Sequence, residues 1–124
     1  MVDWRTACRG VEEFDLDQDG VVVRFAGGRR HRVTVSETPE TIELHAIVAK
    51  PSRVRDDVGV AERLWVLNRG SQLVCFKLDR YQRVVATAWC PKQGATFEEL
   101  RTLIHRLASE SDRVEMLLTG VDVE

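Results

Sequence analysis

The sequence predicts an α+β domain, a five-stranded antiparallel sheet with helices packed on it, in the order α-β-β-β-α-β-β-α. Three observations carry this. Period-two alternation of apolar residues recurs over residues 20–26, 31–36, 41–48, 71–78 and 83–89. Short polar or glycine turns join successive strands, which makes the pairs antiparallel. A regular three-and-four stripe follows a helix-start signal near residue 96. A chain of 124 residues is one domain, 1–124, with a modest core.

Trp4, Ala7, Cys8, Val11 and Phe14 have helical spacing, with Asp3 as cap, so residues 3–14 read as a first helix. Gly10 weakens it by about 1 kcal/mol relative to Ala. After Asp15–Gly20, read as a polar turn, come the first two strands around Gly27-Gly28. A three-residue loop that includes Ala26 sets Val21, Val23 and Phe25 on the face of His31, Val33 and Val35. A one-residue slip would set them against arginines instead, so the apolar register is preferred. Thr38-Pro39-Glu40 turns the chain into a third strand through Ile42, Leu44, Ala46 and Val48. Asp56 or Asp57 caps a central helix, Val58–Asn68, which Asn68 and Gly70 end as left-handed residues. Val74, Phe76 and Leu78 alternate with Leu73 and Cys75 in the fourth strand. Val85, Thr87 and Trp89 alternate with Val84, Ala86, Ala88 and Cys90 in the fifth. Thr96 and Glu99 form a capping box ahead of Leu100, Leu103, Ile104, Leu107 and Ala108. Ser109–Asp112 reads as a break, and Val114–Leu118 as a last helical turn.

Composition narrows the function. The net charge of -2 gives no electrostatic reason to expect nucleic acid. No apolar leader or spanning run is present, and three cysteines without CxxC spacing suit a reduced, cytoplasmic protein with no membrane partner. Asp15-x-Asp17-x-Asp19-Gly20 matches the first half of a calcium loop, but Ala26 stands where the closing glutamate is needed. His31, His45 and His105 show no ligand spacing, so no metal and no cofactor is expected. Cys75 and Cys90 read as two small core thiols on adjacent strands, able to approach one another but lacking a base. No catalytic set assembles, and the chain reads as a non-enzyme.

The fourth and fifth strands are apolar on both faces, and the central helix is apolar on more than one side. Helices are too few to cover all of this. Val58, Trp65, Val66, Val74, Phe76 and Trp89 are therefore the candidate dimer or partner interface, Trp being especially suited to that role.

The helix ending at Leu67-Asn68, the hairpin Leu73–Leu78 and Arg83–Trp89, the Pro91 after it and the helix Thr96–Leu107 resemble the YbjN and type III secretion chaperone-like superfamily, over roughly residues 20–119. The resemblance implies a homodimer in which the central helix and the last two strands meet their mates. It also implies a sheet or groove that receives a non-globular segment of a partner, which in the secretion chaperones is the extended N-terminal part of an effector. The short first helix and the weakly acidic balance depart from those chaperones and favour a YbjN-like regulator or stabiliser. The function expected is a non-enzymatic, chaperone-like module that captures an unidentified protein client through an apolar groove or sheet edge. The alternative is a small-molecule- or metal-responsive regulatory domain, with the Asp15–Asp19 turn or a sheet pocket as its site.

Overall fold

A computed structural model describes residues 1–53 and 59–120. Its sheet is antiparallel throughout and has six strands, one more than the sequence predicts. The elements are α1 (Trp4–Cys8), β1 (Phe14–Leu16), β2 (Gly20–Arg24), β3 (Arg30–Glu37), β4 (Thr41–Ala49), α2 (Val60–Gly70), β5 (Cys75–Leu78), β6 (Val84–Pro91) and α3 (Phe97–Thr119). The strand order is β1-β2-β3-β4-β6-β5. The last hairpin thus enters with β6 beside β4, and β5 becomes an edge.

The additional strand corrects the reading of residues 3–14 as one helix. Asp3 does cap α1, its Oδ1 accepting from the Arg5 N–H at 3.3 Å. Gly10, at φ 81°, then takes the left-handed conformation, and the helix has already stopped at Cys8. Phe14 and Leu16 turn inward with Asp15 outward between them, a period of two too brief to stand out in the sequence.

The first hairpin has the apolar register. Val21 faces Val33 and Val23 faces His31, around a three-residue 3-10 turn at Ala26–Gly28. At the β3–β4 turn the Thr38 hydroxyl accepts from the Thr41 N–H at 2.9 Å. Beyond Thr34 and His45 the β3–β4 ladder ends.

Along β3, β4 and β6 one face buries Val33, Val35, Ile42, Leu44, Ala46, Val48, Ala86 and Ala88. This inner face carries α3, whose stripe from Leu100 through Leu107 is fully buried or nearly so. Ala86 and Ala88 are small, which lets the helix approach closely. The capping box is present, with Glu99 N–H to Thr96 Oγ1 at 3.1 Å and the return bond at 2.9 Å. α3 does not break at Ser109–Asp112. Ser111, Asp112 and Glu115 are buried and continue the stripe to Leu118, and Gly120 in the left-handed conformation closes it. Polar residues on a buried face hid that continuity.

α2 ends differently from expectation. Asn68 and Gly70 are both helical, and the left-handed residue is Leu73, at φ 72°. The expected cap at Asp56 or Asp57, and Val58, lie outside the described residues. Asn68 has another task. Its side-chain amide accepts from the Phe76 N–H and donates to the Phe76 carbonyl, both at 2.7 Å. One amide satisfies both outward-facing backbone groups of that edge residue and ties α2 to β5. β5 itself starts only at Cys75, four residues later than the alternation suggested.

Candidate partner-binding surface

Among the described residues, no helix covers the outer face of the sheet. Cross-strand neighbours there are Thr34 with His45, Ser36 with Glu43, Glu43 with Trp89, His45 with Thr87, and Cys75 with Thr87. These side chains line a trough of about 740 Å³, with Leu73 and Trp89 at its rim. Leu73 and Trp89 are each 64% exposed. They also line a second cavity of about 470 Å³, which runs past Pro91 and Ala95 to Thr102 and Leu103 on α3. The two residues form a ridge between two hollows.

Leu73 is doubly unusual. A left-handed backbone at a residue with a Cβ costs about 1–2 kcal/mol, and its apolar side chain is largely in water. His45, on the trough floor, is held below the ordinary histidine range by burial, and by the positive charges of Arg83 and Lys77 against Asp79. Its surroundings therefore favour the neutral form.

The five candidate interface residues that lie among the described residues separate. Val74 and Phe76 are 5% and 1% exposed and belong to the monomer's own core, which corrects their assignment to a surface. Both phases of β5 are apolar, so the pattern could not say which one faced inward. Trp89 lies on the trough rim. Trp65 and Val66 stand exposed on α2, at 62% and 58%. The Arg69 guanidinium sits 4.9 Å from the Trp65 ring centroid. Val66 instead lines an apolar groove of about 260 Å³ with Leu67, Arg63, Leu117 and Leu118. Leu73, unmarked in the sequence as an interface residue, joins the surface. Only its neighbourhood, an apolar residue just after a helix end, could have drawn attention to it.

Other candidates are also corrected. Cys75 is exposed on the outer face, whereas Cys90 pairs with Ile42 and turns to the inner one, so the two thiols point apart. Burial pushes the Cys90 thiol up and the Cys8 thiol to about 11. Both are poor nucleophiles at neutral pH. His31, without ligand spacing in the sequence, is brought by the fold to two carboxylates. It is 4% exposed and packs beside Asp112 and Glu115.

The calcium-like turn has its carboxylates engaged by arginines. Arg32 donates to both oxygens of Asp17, at 2.9 and 2.8 Å, and also to Asp19. Arg24 pairs with Asp15 at 2.8 Å. Hydrogen bonds from Arg32 hold the Asp17 carboxyl below its ordinary range. Gly20 is required for another reason, since a Cβ there would strike the Val33 carbonyl. Calorimetric titration with calcium is expected to give no binding heat in the micromolar range. The Asp17–Arg32 contribution, small because both groups are well exposed, is present above the ordinary carboxylate pKa and is lost as pH falls through the lowered value.

The fold is similar to that of solved chains from type III secretion complexes and of YbjN. The structure is similar to a chain of the heterodimeric complex ExoU–SpcU from the type III secretion system of Pseudomonas aeruginosa. That match covers 98% of this chain and 100% of the other at a TM-score of 0.67, with 18% sequence identity. A chain of the ExsC–ExsE complex matches over 94% and 90% at 0.62, with 19% identity. YbjN of E. coli matches over 86% and 78% at 0.55, with 18% identity. No protein-family model matches the sequence, and no curated protein sequence matches it. Among the described residues, no helix is long and apolar enough to cross a membrane.

Proposed function

We propose that this chain is a non-enzymatic, chaperone-like protein-binding module that holds an extended segment of a partner protein along the outer face of its sheet. The observation that carries the reading is Leu73, a backbone-strained and exposed apolar residue on the rim of an uncovered trough. Backbone strain held at an exposed apolar residue motivates the reading of a working surface. The likeness to chains solved in complexes such as ExoU–SpcU and ExsC–ExsE supports it.

Face capture is favoured over strand addition. At the β5 edge the groups of Phe76 are already bonded by Asn68. The other edge, β1, is three residues long. An extended peptide lying in the trough would set its apolar side chains against Leu73 and Trp89 instead. We further propose that the working form is a homodimer built on α2.

The test uses the tagged chain expressed in its native host. One defined polypeptide is expected to copurify, and Trp89→Asp is expected to weaken its retention at least ~10-fold, as for an interface anchor. Leu73→Gly separates function from stability. Gly adopts the left-handed backbone without penalty, so the free chain should gain about 1 kcal/mol while partner retention falls. A Leu73→Gly chain that keeps its partner fully would remove the trough from the proposal.

A further inference from the structure

We infer that His31, Asp112 and Glu115 form a binding site for a divalent transition-metal ion, best suited to zinc, that clamps β3 to α3. This goes beyond partner capture and rests on separate residues.

His31 comes from β3 on the inner face of the sheet, where the β3–β4 ladder has ended. Its Nε2 lies 2.8 Å from the Ile47 carbonyl oxygen, an acceptor, so Nε2 carries the proton and donates. In the neutral ring Nδ1 is then the lone-pair nitrogen. It is buried and has no hydrogen-bond partner. What it faces are two more acceptors, Asp112 Oδ1 at 3.9 Å and Glu115 Oε1 at 4.0 Å. Asp112 and Glu115 stand three residues apart on α3 and so share one side of the helix. All three residues are at least nine-tenths buried, and one ligand atom from each lies within 4.8 Å of the others.

Arg29 already brings one positive charge to Asp112, and the buried His31 Nδ1, which has no hydrogen-bond partner, is the group left for a cation to match. One imidazole nitrogen and two carboxylate oxygens suit zinc, at metal–ligand distances of about 2.0–2.2 Å. Donors in a tetrahedron of that size are about 3.4 Å apart, so the two carboxylates would each close on His31 by about half an ångström and also draw toward one another, from within 4.8 Å. A histidine whose far nitrogen donates to a backbone carbonyl is the arrangement that fixes the metal-ligating tautomer.

Asp112 divides its oxygens. Oδ2 accepts from Arg29, while Oδ1 stays turned toward His31. Arg29 is part-exposed and, with Asp112, Phe25, Ala26 and Ser109, lines a cavity of about 410 Å³. That cavity is a route for the ion and a source of water for the open coordination position.

The test uses the full chain, stripped of metal, with zinc chloride and cobalt chloride as probes at pH 7. Zinc is expected to bind at one equivalent per chain and raise Tm. Cobalt(II) is expected to give visible d–d bands with no thiolate charge-transfer band, which separates this site from Cys75. Glu115→Gln keeps the shape of the side chain and should weaken zinc at least ~10-fold, as should His31→Gln. Absence of any zinc-induced Tm shift or cobalt spectrum in the unmutated chain would overturn the site. So would zinc binding that is unchanged in properly folded Glu115→Gln, or a cobalt spectrum dominated by thiolate.

Discussion

Phe76→Ala lowers the free energy of unfolding by about 3–5 kcal/mol, the cost of deleting a large, fully buried aromatic side chain. Phe76 is among the largest fully buried side chains, and it faces only Ala86 across the β5–β6 pair. Alanine against alanine would leave a cavity between α2 and the inner sheet face, with no flexible neighbour opposite to fill it. A domain stable by about 5–15 kcal/mol would surrender a large share of its margin. Urea denaturation measures this directly, with the midpoint falling while the slope is kept. A loss under 1 kcal/mol would mean that Phe76 is not the contact that seats α2.

Trp65→Asp separates the proposed homodimer, weakening self-association at least ~30-fold, as expected for a Trp hot spot of more than about 2 kcal/mol. In one chain, Trp65 stacks on Arg69 and is otherwise largely in water. Its replacement should change the unfolding free energy of the monomer by no more than ~0.5 kcal/mol. With Ala61 and Val66 it makes the exposed side of α2 too apolar for a typical helix surface. A two-fold axis beside α2 would bury that side against its copy. Light scattering at tens of micromolar is decisive: a single-chain mass for the unmutated protein rules the interface out.

Much of the fold was legible because local rules agreed with one another. Thr96 and Glu99 cap a helix whose stripe is unbroken for three turns, and the Ala26 loop has only one register that keeps arginines out of the core. What remained hidden depends on long-range placement. Phe14–Leu16 needs β2 beside it before a period of two means anything. Val74 and Phe76 alternate as clearly as Leu73 and Cys75, and only the position of α2 and α3 decides which set is buried. His31 is far along the chain from Asp112 and Glu115, so no spacing rule could join them. Trp65, Val66 and Trp89 stand exposed as their place in the pattern suggested, because bulky residues on helix and sheet surfaces need no partner element to be noticed. Leu73 escaped because its strain is a backbone property.

The Asn68 amide also bears on what the protein does when crowded. A sheet grows into a fibre by offering the N–H and C=O of its last strand to an incoming chain. At Phe76 both are already matched, donor to acceptor, by a side chain that ends there and passes nothing on. The growing end is plugged by a group with no further backbone to extend. Aspartate at this position would keep the size and lose the donor, setting a carboxylate against the Phe76 carbonyl. The chain would then carry a loosened edge strand with a fully apolar residue behind it, the combination from which ordered aggregates start.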